Sequence, residues 1–253
     1  MELPPVGLGT MGVDDPTVVR EALAAGYRHL DTAQIYENET VVGAGLAASD
    51  VPRESVTVAT KLWIDALRDD AVRPSTERSL DRLELDAVDL LYVHRPRGEY
   101  DPETTLPAVE AVRRAGLTAA VGLSNFDPDQ LAVAHDHLDE IAAHQVEFHP
   151  YWGDERLLAD AREHGYPIVA YSPLAGGEVL SDPVIREIAD TRDTSPAAVS
   201  IAWVCSHDPV VTIPKASSPA HLRANLAAAE LELSDAEIER IDGIEREVEL
   251  FPE

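Results

Sequence analysis

Short apolar runs rich in β-branched residues alternate eight times with stretches of helical period, and that alternation leaves the chain few folds to choose from. The spacing predicts strands over Val6–Thr10, Arg28–Ala33, Val56–Lys61, Val88–His94, Ala119–Ser124, His144–Phe148, Pro167–Ser172 and Val210–Lys215. Between them recurs one helix-start signal, Asp or Ser followed by Pro, at Asp15-Pro16, Asp101-Pro102, Asp127-Pro128, Asp182-Pro183, Ser195-Pro196 and Ser218-Pro219. The first side chain accepts from orphan amides, and proline at the first helical position gives up no hydrogen bond. Gly26, Gly116 and Gly165 close several of these stretches, and Leu106, Val109 and Val112, like Leu222 and Leu226, keep the spacing of a helix face laid on a sheet. Near the end, Ser234-Asp235-Ala236-Glu237 has the form of a capping box, and Ile238, Ile241 and Ile244 supply an apolar stripe for one further helix.

Eight strand–helix units in 253 residues fit an α/β chain of one domain, residues 1–253, folded as a (β/α)8 TIM barrel with an extra C-terminal helix. A doubly wound sheet is the alternative. It lacks its usual signal, because Gly7-Leu8-Gly9-Thr10 is followed by Met11-Gly12-Val13 and not by a Gly-x-Gly-x-x-Gly turn opening a helix.

The charge excludes several partners. The chain has 47 acidic and 20 basic residues, a net charge of -27, with the acids spread throughout, which argues against nucleic acid and anionic membrane. Only two of the basic residues are lysine, Lys61 and Lys215. An acid-rich, lysine-poor composition resembles that of proteins from extreme halophiles, whose surface repulsion is screened where the Debye length falls to roughly 3 Å, near 1 M salt. The single cysteine, Cys205, makes an intrachain disulfide impossible and reads as an apolar filler. With no long apolar run and no signal-like start, the expectation is a cytoplasmic protein, and a monomer is expected beside it.

Where lysine is this scarce, each survivor is expected to sit where an ammonium and a guanidinium are not interchangeable. Lys61 ends the third predicted strand. Asp31, His94, Ser124, Asn125, Gln145, Tyr171, Ser172 and Lys215 likewise fall at or just beyond strand ends, the rim where barrel enzymes place their chemistry. Each alone has an ordinary reading, as cap, rim charge or satisfied core group. Gathered on one rim, Asp31, Lys61 and His94 with Tyr36 form a constellation that random placement does not produce.

The chain resembles the aldo-keto reductase superfamily, in particular prokaryotic diketogluconate and aldehyde reductases. The resemblance rests on Gly7-Leu8-Gly9-Thr10, Asp31-Thr32-Ala33 with Tyr36, Asn38-Glu39 with Val42-Gly43, Thr60-Lys61-Leu62-Trp63, Val93-His94-Arg95-Pro96, Gly122 to Phe126, Gln145 to Tyr151, Tyr171-Ser172-Pro173-Leu174 and Ile213-Pro214-Lys215. It implies reduction of aldehydes or ketones, keto-sugars among them, by NADPH, with NADH also usable. Tyr36 would donate the proton, with Lys61 and Asp31 behind it and His94 orienting the carbonyl. It further implies that Tyr171 stacks on the nicotinamide and that Ser124, Asn125 and Gln145 hold its carboxamide. Ser172 and Leu174 would grip the pyrophosphate, with Gly176-Gly177 allowing close approach; Lys215 would read the 2′-phosphate and Asn225 meet the adenine.

Ala216 and His221 stand where the family usually has serine and arginine, so part of the charge that selects NADP is missing, and Arg223 lies about 200° round the helix from His221. Trp63, Phe126 and Met11, with Trp152 less firmly, are expected to line the substrate cavity, which a short C-terminal segment would leave open. Arg95 replaces the commoner tryptophan of the His-Trp-Pro motif at the rim. Two other classes compete: a Schiff-base aldolase acting through Lys61, which a carboxylate partner would disfavour by keeping the amine protonated, and a cofactor-binding regulatory subunit.

Overall fold

The computed structural model describes residues 1–252. Its strands β1 (Leu8–Gly9), β2 (His29–Asp31), β3 (Thr57–Leu62), β4 (Val88–Val93), β5 (Thr118–Ser124), β6 (His144–Glu147), β7 (Ile168–Tyr171) and β8 (Val210–Thr212) lie in one sheet in chain order, every neighbouring pair parallel. The register aligns Gly9 with Asp31, Asp31 with Ala59, and Lys61 with Tyr92. Val6 then bridges Thr212, with the Gly7 N–H donating to the Thr212 carbonyl at 2.8 Å, so the last strand returns to the start of the chain and closes the ring. The fold is the (β/α)8 barrel that the alternation predicts.

Parallel neighbours need a crossover, and helices supply it. They are α1 (Pro16–Ala25), α2 (Glu39–Ala47), α3 (Asp69–Leu83), α4 (Pro102–Arg114), α5 (Pro128–His137), α6 (Glu155–His164), α7 (Pro183–Thr191), α8 (Pro196–Cys205), α9 (Pro219–Ala228) and α10 (Asp235–Asp242). All six Asp-Pro and Ser-Pro signals start helices with the expected cap, for example Asp15 Oδ1 accepting from the Thr17 N–H at 2.8 Å and Ser218 Oγ from the His221 N–H at 3.2 Å. The additional C-terminal helix is α10, where Glu237 reaches back to the Ser234 N–H at 2.8 Å. Between β7 and β8 the crossover consists of two helices, α7 and α8.

Two apolar layers hold the barrel. Between sheet and helices, Leu8, Leu30, Val58, Leu62, Leu91 and Val93 pack on Leu23, Val72, Leu106, Val109 and Leu131, all buried. Inside the ring, Ala59, Leu90, Tyr92, Val169 and Ile213 fill the axis. The period of two along a strand decides what comes next: Ala59 faces the axis, so Lys61 does too, one step nearer the C-terminal rim and 5.9 Å from the Tyr92 ring.

Candidate active site

Asp31 ends β2, and the chain then turns through a short 3-10 segment, Gln34–Tyr36, that presents Tyr36 to the barrel mouth. Two amide side chains fix this turn. Gln34 Nε2 donates to Ser75 and Ser79 of α3 while its Oε1 accepts from the Trp63 N–H at 2.9 Å. Asn38 Nδ2 donates to the carbonyls of Thr10 at 2.7 Å and Val13 at 3.0 Å, and its Oδ1 accepts from Thr32. Glu37 closes the turn in the left-handed region, φ 55°. Tyr36 is thus placed by groups that clamp the turn on both sides, not by flexible packing.

Lys61 is fully buried; its ammonium donates to Asp31 Oδ1 at 2.5 Å and to the Thr32 carbonyl at 2.8 Å, and it lies 5.1 Å from the centre of the Tyr36 ring. The other Asp31 oxygen accepts from Gln145 Nε2 at 2.7 Å. Burial alone would strip the proton from Lys61, but Asp31 and Tyr36 outweigh it and hold the amine more firmly protonated than an ordinary lysine. Burial also raises the Tyr36 phenol, and Lys61, with a smaller pull from Arg95, only partly offsets it. A sequence argument that weighs the ammonium alone expects an easier proton; the dry surroundings that outweigh it are visible only in three dimensions. Because Lys61 stays charged and does not line the cavity, the aldolase alternative lacks its nucleophile.

His94 follows β4, its N–H bonded to the Leu62 carbonyl at 3.1 Å. Its ring stands edge-on to Tyr36, centroids 5.9 Å apart, and to Trp63, 4.9 Å. Burial first, then the charges of Lys61 and Arg95, push its pKa down to about 2, so the imidazole is neutral. Nδ1 is buried without a partner. Buried N–H groups without a partner are rarer in folded proteins than under-satisfied acceptors, which assigns the ring proton to Nε2. Across the mouth, Asn125, in the left-handed region at φ 60°, donates to the His94 carbonyl at 3.0 Å and accepts from the Tyr171 hydroxyl at 2.8 Å.

These groups open on a cavity of about 560 Å³ lined by Asp31, Tyr36, His94, Asn125, Gln145, Tyr171, Ser172, Leu174, Lys215, Trp63 and Met11 among the sequence-read residues. Ser124 lies beneath the wall, buried, its hydroxyl accepting from Asn125 at 3.1 Å. Ala216 and Asn225 are buried off the cavity, and His221 is exposed on the first turn of α9. Phe126 and Trp152 line a separate hollow, with Phe126 packed edge-on against Tyr100 at 5.5 Å. Thr10 of the Gly7–Thr10 motif lines the cavity too, as do Ile35 and Phe251, which no sequence motif marks. Phe251 reaches it because the C-terminal segment recrosses the mouth, so short does not mean absent.

The lining has one property that composition conceals. In a chain with 47 acids, Asp31 is the only acidic side chain among the described residues that line the cavity, and it is paired with Lys61, while Arg95 and Lys215 are basic residues on the same lining. Along one flank run Ser172 at φ 53° and Gly176 and Gly177 at φ 64° and 101°; a Cβ on Gly176 would touch Leu250 at 3.4 Å and one on Gly177 would meet nothing, so the backbone is open at Gly177. An elongated polyanion with a flat ring at one end suits this trough: Tyr171 for the ring, Ser172 to Gly177 for the phosphates, Lys215 for a terminal phosphate.

Fold and rim together define a barrel enzyme with a clamped tyrosine over a buried lysine–aspartate pair. The chain belongs to the aldo/keto reductase family, whose model matches residues 5–246, and it is an oxidoreductase acting on carbonyl groups. It is 39% identical over 244 residues to methylglyoxal reductase DkgB of Escherichia coli O157:H7, covering 94% of this chain and 91% of that protein. It is 33% identical to the glyoxal reductase of Bacillus subtilis strain 168, covering 100% and 92%. Among solved structures, MGS-M4, an aldo-keto reductase from a Medee basin deep-sea metagenome library, superposes with a TM-score of 0.94 at 29% identity, covering 100% of this chain and 95% of that one.

Proposed function

We propose that this barrel reduces small aldehydes and ketones, 2-oxoaldehydes and keto-sugars among them, using NADPH in preference to NADH. The observation that carries the reading is the Tyr36 phenol beside the neutral His94 ring, over the buried Lys61–Asp31 pair, at the floor of a cavity on which the described residues bear no unpaired acid. Reduced nicotinamide supplies the hydride. Tyr36 gives its proton to the carbonyl oxygen as negative charge develops there, and the fixed Lys61 ammonium stabilises the phenolate left behind. Asp31, held by Gln145, keeps that ammonium charged and aimed. His94 donates from Nε2 to the same oxygen and sets its angle. Ser124, Asn125 and Gln145 support the carboxamide end, Ser172 and Leu174 the pyrophosphate, and Lys215 the 2′-phosphate, with Ala216, His221 and Asn225 near the adenosine.

The same reading takes residues 1–253 as one barrel domain working as a cytoplasmic monomer in a salt-rich cell, supported by the acidic, lysine-poor composition. No helix among the described residues is long and apolar enough to cross a membrane. The test is loss of NADPH absorbance over an aldehyde and keto-sugar panel in high salt, for wild type and Tyr36→Phe. The variant should keep NADPH binding and lose kcat by on the order of 10²–10⁴-fold, the contribution of a positioned acid. Retention of more than about a tenth of wild-type kcat removes Tyr36 from its role.

A further inference from the structure

The catalytic cavity has a neighbour. A second hollow of about 680 Å³ lies beside the first, and three side chains, Asn125, Tyr171 and Phe251, border both. Asn125 and Tyr171 are built on the barrel and joined by their hydrogen bond. Phe251 comes from the opposite end of the chain and meets the Tyr171 ring edge-on, centroids 5.7 Å apart. It belongs to none of the strands or helices of the barrel.

What holds it is Glu147, the last residue of β6. Its carboxylate is buried, and no arginine or lysine forms an ion pair with it among the described residues. Oε1 accepts from the Leu250 N–H at 2.8 Å and Oε2 from the Phe251 N–H at 3.1 Å. His149 Nε2 meets Oε1 at 2.8 Å; because His149 Nδ1 accepts from the Tyr151 N–H at 3.2 Å, the ring proton sits on Nε2 and points at the carboxylate. The Val248 N–H on the Tyr151 carbonyl at 3.1 Å ties the same segment one step earlier. A carboxylate taken out of water with no cation is costly unless several donors satisfy it, and here two of those donors are main-chain amides of the tail.

We infer that Glu147 is a positioning residue that latches the C-terminal segment across the barrel mouth, so that Phe251 partitions the catalytic cavity from the second hollow and limits the reaction to small carbonyls. The substrate claim rests on the reductase reading above; the latch does not. Without the latch the ring swings off Tyr171, the two hollows join, and bulky aromatic aldehydes gain room.

The test compares wild type, Glu147→Gln, Phe251→Ala and the double variant. Glutamine turns one acceptor oxygen into a donor facing another N–H, so it breaks the latch at nearly constant volume. Amide hydrogen exchange should show protection of Leu250 and Phe251 falling by about tenfold or more in Glu147→Gln while β3 and β4 stay protected. In steady-state assays both single variants should gain roughly tenfold in kcat/KM for a bulky aromatic aldehyde relative to methylglyoxal, chiefly through KM. The double variant should gain no more than Phe251→Ala alone, since both changes act through one ring. Unchanged tail exchange in Glu147→Gln overturns the latch. A loosened tail with an unchanged substrate ratio, or additive gains in the double variant, overturns the partition. If no variant oxidises NADPH with any carbonyl, it is the reductase reading that has failed, and the exchange result still decides the latch.

Discussion

At the scale of residues, the sequence was most legible where a side chain leaves a strand end and least where it depends on a distant segment. Tyr36, Lys61, Asp31 and His94 meet as their positions suggest, because strand period and rim polarity fix both direction and depth. Phe126 does not face the catalytic cavity; one residue beyond Asn125, it turns toward Tyr100 instead. Nothing local to Phe251 in the sequence shows that the C-terminal segment recrosses the mouth. Glu147, an acid between Val146 and Phe148 where the strand ends, is the available signal. Lys215 lines the cavity, while His221 sits exposed and Ala216 offers no polar group. An exposed ion pair is worth about 0–1 kcal/mol and an ordered charge-assisted contact about 1.5–3, so NADPH should be preferred over NADH by between a few-fold and roughly a hundredfold, less in high salt. Lys215→Ala should narrow the gap and His221→Arg widen it, read as kcat/KM with each cofactor. Equal loss with both cofactors in Lys215→Ala would show that the lysine reads something other than the 2′-phosphate.

At the scale of elements, the helix starts were written plainly, since a cap and a proline act within one turn. The pairing of α7 and α8 in one crossover was written as two start signals, but counting repeats assigns one helix to each strand. Burial was the hidden quantity, and three histidines show its consequence. His29 in β2, His144 in β6 and His94 after β4 are buried, with at least one ring nitrogen of each lacking a partner. Burial lowers the pKa of His29, lowers that of His144 to about 3, and, with Lys61 and Arg95, lowers that of His94 to about 2. The unfolded chain binds these protons near pH ~6.5 and the folded chain does not. The associated stability is therefore fully present above that pH and is lost progressively below it, by up to about 1.4 kcal/mol per pH unit for each group. Protonation of surface carboxylates relieves repulsion and acts in the opposite sense, so the measurement is a difference. In 2 M KCl, denaturant unfolding of His144→Gln between pH 6.5 and 5 should show a shallower slope than wild type by about that amount for one proton. Parallel slopes would mean that His144 takes up its proton without unfolding.

At the scale of the whole molecule, what remains is the surface. The ion pairs use arginine almost throughout, and many are exposed, such as Arg68–Asp70 and Arg156–Asp154. Such pairs contribute about 0–1 kcal/mol each and cannot offset a surplus of 27 negative charges on one barrel. That surplus repels itself most strongly when the chain is compact, and unfolding spreads it out. At 0.1 M ionic strength the Debye length is about 10 Å, long enough to couple neighbouring carboxylates, and near 1 M it is about 3 Å, shorter than most of their separations. The folded state should therefore be stabilised by simple salt over this range, with the thermal midpoint rising from 0.1 to 2 M KCl. The catalytic cavity, whose only acid among the described residues is already paired, should bind NADPH more weakly over the same range, because the proposed attraction of Lys215 for a phosphate would be screened in turn. Stability and cofactor affinity are thus expected to move in opposite directions with salt, followed by thermal melts and by cofactor titration. A midpoint at 0.1 M KCl equal to or above that at 2 M would show that the acidic surface carries no folding penalty and that its abundance has another cause.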